Sequence, residues 1–354
     1  MKYVCVFFIT CALLLTSCTK KEDLSNQTAA EQVQKSVSIA VFVPGNISGS
    51  PVYEMLVSGA EAAAAKFNAS HQETPVTLDI IEAGTNQAEW GGKLTALTAE
   101  GKYDLILSAN PALPEIIEPL TAQFPKQRYI ILDALMEGNS SIATFRYNQR
   151  EEAYLAGYMA ALVTGSSMEF ANEQKRIGFV AAQEYPVMNN ILLPSFIEGA
   201  KAAEPQAEVD FRIVGNWYDA SKGAELARAM YNAGADVLLS ISGGANQGVI
   251  STAKELGFYI TWFDDNGFSK APGYVVSSSV IRQDRLAEKV LTDFLGGDMQ
   301  FGTANTFGMA EGYVDLITDD PLYIDTVPED IRVKMAALAE DIRSGKLSLP
   351  SPTL

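Results

Sequence analysis

The sequence predicts an α/β protein of two doubly wound lobes, each a parallel sheet covered by helices on both faces. Three observations carry this. Short continuous runs of Val, Ile and Leu recur from Ser38 to Ile281, stretches with apolar residues at helical spacing separate them, and the runs are too many for one ordinary sheet.

In chain order the runs are "SIAVFV", "VTLDII", "YDLILS", "RYIILD", "IATFRY", "RIGFVA", "DFRIVG", "DVLLSI", "FYITWF" and "YVVSSSVI", each bounded by turn-forming residues. Between the first two, Met55, Ala60, Ala63 and Phe67 share one helical face, and Leu226, Met230 and Ala233 do so later in the chain. A new set of units starts at "KRIGFVAA" after "SSIATFRYN", which puts the break between lobes near Thr144. The helical segment "QDRLAEKVLTDFL" returns the chain to the first lobe near Arg282, and a last crossing falls near Asn305. Residues 37–144 plus 282–305 thus form an N-terminal lobe, and 145–281 plus 306–354 a C-terminal lobe with the terminal helix. Open parallel sheets bind ligands beyond the carboxyl ends of their strands, so two such sheets joined by a hinge make a cleft.

Ahead of this body, Lys2 precedes an apolar run from Tyr3 to Leu15 that is short for a membrane span and ends in Leu15-Thr16-Ser17-Cys18. Residues 1–17 read as a lipoprotein signal peptide and Cys18 as the acylated residue; an uncleaved anchor or an ordinary signal peptide is the alternative. Each buried CH₂ of an acyl chain adds about 0.8 kcal/mol of membrane affinity. Residues 18–36, polar and without apolar period, read as the acylated cysteine and a flexible tether. The expected location is a bacterial cell membrane, lipid-anchored, facing the periplasm or the exterior.

All three cysteines, Cys5, Cys11 and Cys18, lie in this leader, so the folded body has no disulfide and no thiolate metal site. The 354 residues carry 26 Lys and Arg against 43 Asp and Glu, a formal net charge of −17. Such a surface repels phosphate backbones, so nucleic acid is not an expected partner, and contact with membrane is expected through the lipid alone. The single histidine, His71, lies in the polar stretch "NASHQE", and neither a nucleophile elbow nor metal-ligand spacing is present, so neither catalysis nor a metal is expected.

The candidate site residues stand at strand ends. "ITWFDDNG" places Trp262 and Phe263 before Asp264, Asp265, Asn266 and Gly267; alternation sends the two aromatics to opposite faces, so at most one faces the cleft. Asp264, Asp265 and Asn266 suit ligand hydroxyls, while Asp265 and Asn266 read equally as Asx-turn residues before Gly267. "IVGNWYD" puts Trp217 in a loop, where a flat ring is available for stacking, worth roughly 0.5–1.5 kcal/mol beyond area burial. Asp133 ends "YIILD", and Gly243 and Gly244 precede a helix whose amides suit ligand oxygens, although glycine there also simply permits a turn.

The segments "FPKQRYIILDA", "TFRYNQREEAYLAGYMAALVT", "SGGANQGVI" and "ITWFDDN" resemble the basic membrane protein family, which includes purine nucleoside receptor lipoproteins of ABC importers. The resemblance runs from about Ser38 to the terminal helix. It implies a type I periplasmic-binding-protein fold, a permease as partner, ligand capture by lobe closure, and a monomer without a cofactor. It also implies that Asp133 meets the edge of a base, Trp217 stacks on it, Asp264 grips ribose hydroxyls, and Arg282 replaces a lysine near the sugar. One segment departs from the family: in "VPGNISGSPVYEML", Pro44 and Val52 replace an aspartate and a phenylalanine, and Tyr53 takes an asparagine position. That set of changes is most like the riboflavin-binding branch, in which a tricyclic ring with a ribityl tail is the transported ligand. Asn110, Asp133 or Arg146 are then candidates for the ring edge, with an ion pair to Glu151 or Glu152 as the alternative for Arg146, and Tyr147 and Asn148 are cleft candidates by hinge position. A purine nucleoside receptor and a ligand-sensing surface lipoprotein are the rival expectations.

Overall fold

In a computed structural model, residues 36–352 are described; the expected signal peptide, Cys18 and nearly all of the tether lie outside them. The described strands are β1 (Ser38–Val43), β2 (Thr77–Glu82), β3 (Leu105–Ala109), β4 (Tyr129–Leu132), β5 (Ile142–Tyr147), β6 (Arg176–Ala181), β7 (Glu208–Ile213), β8 (Ala235–Ile241), β9 (Tyr259–Trp262), β10 (Val275–Ile281), β11 (Ala304–Phe307) and β12 (Val314–Leu316). The helices are α1 (Pro51–Ser70), α2 (Gln87–Ala99), α3 (Leu113–Gln123), α4 (Gln149–Thr164), α5 (Leu193–Ala203), α6 (Ala220–Asn232), α7 (Asn246–Leu256), α8 (Gln283–Gly296), α9 (Pro321–Thr326) and α10 (Glu329–Arg343).

Two sheets result, ordered β11-β5-β4-β3-β1-β2 and β12-β10-β9-β8-β6-β7. The first is parallel throughout; the second is parallel except where β12 runs against β10. Replacing β1–β5 and β11 by β6–β10 and β12 converts one order into the other. The fold is therefore one five-strand winding used twice, and each carboxyl strand end of β1–β5 has a counterpart in β6–β10.

Central strands β3, β4, β8 and β9 are buried along their whole length, as continuous aliphatic runs require when both faces are covered. The ten runs read from the sequence are all strands. β11 and β12, of 4 and 3 residues, were not foreseen, since such short segments carry too few positions for a period.

The chain passes between the lobes at three points. After β5, Asn148 leads into α4, which packs against α5 and beneath β8 and β10 of the second sheet. After β10, Arg282 leads into α8, which packs on α1 of the first lobe. After β11 the chain returns to β12. The break expected at Thr144 and the crossing expected near Asn305 both fall inside strands: Thr144 to Tyr147 pair with Ala304 to Phe307, so the chain leaves the first sheet only after Tyr147 and after Phe307. Mutual pairing holds the two strands in register past the expected boundaries.

Close helix packing needs small residues at two contacts. A Cβ at Gly157 would overlap the Phe196 carbonyl, and one at Gly199 would overlap the Tyr154 carbonyl, so α4 and α5 touch backbone to backbone. Gly59 of α1 meets the Asp284 carbonyl of α8 in the same way. Helix pairing at such distances leaves no room for a methyl group. Gly199→Ala is expected to lower unfolding stability by about 2 kcal/mol through overpacking, read as a lower urea midpoint at unchanged m-value.

Candidate functional site

The loops that follow the parallel strands of both sheets converge. From the first lobe come Tyr53 in the opening turn of α1, Asn110 after β3, Asp133 after β4 and Tyr147 at the end of β5. From the second come Tyr185 after β6, Trp217 and Tyr218 after β7, Gly243 and Gly244 after β8, and Asp264 after β9.

The Tyr53 ring lies over Gly45, where a Cβ would come within 2.7 Å of Cε2. Its hydroxyl donates to the Pro44 carbonyl at 3.1 Å and is also hydrogen-bonded by the Asn110 side chain. Burial pushes this hydroxyl up to about 12, the Asn110 bond opposes the shift, and the charges of Asp133 and of Tyr218 in the opposite lobe add to it. Tyr53 and Tyr218 are thus electrostatic neighbours across the cleft. Asn110 is itself held by accepting the Ala112 N–H at 2.9 Å.

In the second lobe, Asn216 accepts the N–H groups of Tyr218 and Asp219 at 2.9 and 2.8 Å, an Asx turn that fixes the loop, and Asp219 caps α6 through the Lys222 N–H at 2.9 Å. Trp217 is half-buried. Its indole and carbonyl rest on Gly243, at 3.3 and 2.9 Å from a Cβ built there, and Gly243 has φ +57°. Gly243 and Gly244 therefore form a platform for Trp217 and Tyr218. The Tyr185 ring stands 6.2 Å from that of Trp217 at an interplanar angle of 46°.

Three carboxyl groups, of Asp133, Glu152 and Asp264, act on one another electrostatically. Asp133 and Asp264 follow equivalent strands of the duplicated winding, and both adopt left-handed backbone, φ +51° and +72°. Only one other non-glycine residue, Lys175, does so among the described residues. Such strain concentrates where function requires a particular side-chain direction. Burial pushes Asp133 up to about 7; burial, then the charges of Asp133 and Asp265, push Asp264 up to about 8. Both keep partial solvent exposure although protein surrounds them, as befits groups at the floor of a cleft. Glu152, buried in α4, accepts the Asp264 N–H at 2.9 Å. Its carboxyl is raised well above the usual range by burial and then by the Asp264 charge. The Tyr185 hydroxyl is raised by burial and then by the charges of Asp264 and Asp133.

Five expected contacts take other partners. Trp262 is buried: it packs on Gly267, donates its indole N–H to Asp265 and lies 5.3 Å from the Lys270 ammonium, so it belongs to the second-lobe core, as does buried Phe263. Asn266 is turn chemistry, its Oδ1 accepting the Phe268 N–H at 3.1 Å and its amide donating to Asp320 at 2.8 Å. Arg282 pairs with Asp315 at 3.2 Å, and Arg343 holds the other Asp315 oxygen at 3.0 Å; Arg282 lines a cavity against β12 and α10. Arg146 donates to Thr306 at 2.9 Å and to the Ser351 carbonyl at 3.4 Å, and Asn148 donates to the Leu349 carbonyl at 2.8 Å. Both bind the C-terminal segment across the hinge. The alternative ion pair of Arg146 is absent as well: Glu151 accepts the Met309 N–H at 2.7 Å and Glu152 serves Asp264.

Sequence reasoning missed Tyr185, Tyr218 and Glu152 as cleft residues. Aligning the two windings would have pointed to Tyr185, since "QEYP" follows β6 as "PGN" follows β1. Glu152 carried a signal too: it is an acid on a helix otherwise buried nearly all round.

Two lobes of the same winding, three crossings between them and polar and aromatic groups converging from opposed strand ends define a cleft-binding receptor of the periplasmic-binding-protein kind. Residues 36–348 match the family described as Bmp, ABC transporter substrate-binding protein PnrA-like, and the chain belongs to that family. It is similar to the CD4+ T-cell-stimulating antigen of Listeria monocytogenes, 25% identical over 264 residues that cover 70% of each chain. It is similar also to the ABC transporter nucleoside-binding protein BmpA of Lactococcus lactis, 25% identical over 266 residues, 70% of this chain and 72% of that one. In fold it matches a solute-binding protein of an ABC transporter system from Aeropyrum pernix K1, with TM-score 0.74 and 20% identity, covering 90% of this chain and 94% of the other. The protein is an ABC transporter substrate-binding protein. No helix among the described residues is long and apolar enough to cross a membrane.

The strain at Asp264 makes a stability prediction. Its carboxyl titrates higher in the folded chain, about 8, than the ordinary 3.8, so the folded state binds the extra proton and loses stability as pH rises from about 4 to 8. Asp264→Gly removes both this term and the left-handed strain. It is expected to raise unfolding stability by about 1 kcal/mol at pH 5 and by more at pH 8.5, checked by urea denaturation at both values.

Proposed function

We propose that the protein captures riboflavin in the inter-lobe cleft and presents it to an ABC permease, anchored through acylated Cys18. The observation that carries the reading is the aromatic wall: Trp217 laid on Gly243, Tyr185 tilted against it, and Tyr218 within electrostatic reach of Tyr53 in the opposite lobe. So many ring edges suit a tricyclic ligand better than a bicyclic one. Asp133 and Asp264, near neutrality in their titration, offer both donor and acceptor to a pyrimidine-like edge and to ribityl hydroxyls. Asn110, bonded to the Tyr53 hydroxyl, continues that polar edge. Flavin here is cargo, not cofactor. The apolar run ending in Leu15-Thr16-Ser17-Cys18 supports the anchor.

A purine nucleoside is the second reading, favoured by the nucleoside-binding name of the Lactococcus lactis relative and by the same pair of aspartates. The two are separated by the absorption spectrum of protein purified without denaturation and the mass of what it releases on unfolding. A flavin spectrum with the riboflavin mass supports the first; a released nucleoside, and no tryptophan quenching by added riboflavin, supports the second.

Trp217→Ala is expected to weaken riboflavin at least tenfold in a fluorescence titration, since a stacked indole supplies both area and ring geometry. Asp264→Ala is expected to weaken riboflavin far more than lumichrome, which lacks the ribityl chain; equal losses would remove the hydroxyl-holding role.

A further inference from the structure

The opening turn of α1 carries Tyr53 into the cleft, and its own residues secure it weakly. Ser50, at the N-cap, makes no side-chain capping bond, and Pro51 brings no N–H. Two exposed bonds tie the preceding loop to carboxylates, Ile47 N–H to Glu82 at 2.8 Å and Gly49 N–H to Glu54 at 3.1 Å. From the interior, this turn is reached by Gln283. That side chain has no exposed surface and donates from Nε2 to the Val52 carbonyl at 2.6 Å, across 231 residues of chain. Its Oε1 accepts the Tyr147 hydroxyl at 3.4 Å. A carbonyl only accepts, so the amide nitrogen faces Val52 and the oxygen faces Tyr147. A buried amide is costly to leave unpaired, so both bonds hold the side chain in one place.

Two ends of this bridge are hinge positions. Gln283 follows Arg282 as the first residue of α8, and Tyr147 closes β5 just before Asn148. The neighbouring hinge side chains are engaged elsewhere, Arg282 with Asp315 and Asn148 with the Leu349 carbonyl. One residue beyond Gln283, the Asp284 carbonyl lies against Gly59, so α8 also touches α1 backbone to backbone. The third end of the bridge is the peptide between Val52 and Tyr53. The Tyr53 ring is set against Gly45 and its hydroxyl against the Pro44 carbonyl, so its place in the cleft wall depends on where that peptide is held.

We propose that Gln283 is a positioning residue of the binding site: holding the Val52 carbonyl from the hinge, it fixes where the Tyr53 ring stands and so sets the affinity for a planar ring ligand. Gln283 is fully buried, so it acts through Tyr53 and not by touching ligand. A glutamine is suited to the task, since one amide serves an acceptor and a donor at once without burying charge. The inference rests on the reading that Tyr53 walls the ligand, and it does not depend on the ligand being riboflavin.

Two measurements test it, the first without ligand. In the full chain labelled with ¹³C at the tyrosine Cζ, the Tyr53 signal, assigned by its loss in Tyr53→Phe, is expected to shift in Gln283→Met, a substitution of similar length that removes both bonds. The signal of Tyr259, buried in the second lobe, is expected to stay. A Tyr53 signal left in place overturns the positioning; a purely structural role would lower the urea midpoint with Tyr53 unmoved. In the second measurement, riboflavin and inosine are titrated into Gln283→Met, Tyr53→Ala and the double variant. Gln283→Met is expected to weaken binding about fivefold, the worth of one intramolecular hydrogen bond, and to have no further effect once Tyr53 is replaced. Losses that add in the double variant overturn the inference. Gln283→Asn, one methylene shorter, takes the place of the methionine variant in both measurements if the latter does not fold. Binding of inosine without riboflavin counts against the riboflavin reading alone, and the cycle is then read on inosine. If the unaltered chain takes neither, the ligand reading fails and the Tyr53 signal decides the positioning.

Discussion

A parallel sheet covered on both faces admits small hydroxyls within its strands, as at Ser108, Ser240 and Thr261, but leaves most larger polar side chains to the strand ends. Everything functional in this protein follows from that constraint. β3, β4, β8 and β9 are buried from end to end, so the chain can change character only where it leaves the sheet. Asn110, Asp133, Gly243 and Asp264 are the residues at which it does so. Because both sheets are wound in the same order, those exits occur twice, and facing the lobes toward each other collects them in one cleft.

The duplicated winding also explains the hinge. In each half the helix after the fifth strand packs on the other lobe: α4 follows β5 but lies against α5, and α8 follows β10 but lies against α1. Exchange of these helices ties the lobes by three passages of chain. The passage residues are accordingly committed to structure. Arg146 and Asn148 hold the C-terminal segment, Arg282 holds Asp315, and Glu151 holds the Met309 N–H. A charged residue at a hinge has many partners within reach, and here the hinge's own carbonyls and carboxylates win over the cleft.

Inside the cleft, local stability is given up for direction. Asp133 and Asp264 both occupy left-handed backbone that a β-carbon disfavours, and both lie near other acids without a cation. A glycine at either place would relax the chain and lose the carboxyl group. The surrounding structure holds these conformations in place, Glu152 by accepting the Asp264 N–H and the Phe145 carbonyl by accepting the N–H of Ala134 at 3.4 Å. Strain retained at equivalent positions of both lobes is what a receptor requires if two aspartates are to meet one ligand from opposite sides.

The apolar runs by themselves determined ten strands, the division into two lobes and the strand ends at which Asp133, Trp217 and Asp264 stand, because burial on two faces leaves a local, continuous signature. Tyr53 was singled out by its departure from a family pattern, and it lines the cleft. Only the tertiary structure decided which atom each polar group meets. Trp262 belongs to the second-lobe core and Asn266 to a turn, and Arg282 to a carboxylate 33 residues further on. Glu152 reaches Asp264 across 112 residues of chain. β11 and β12 exist as strands because β5 and β10 offer them an edge. Hydrophobic period reports which face of an element is buried; it carries no information about a partner that the fold brings from elsewhere in the chain.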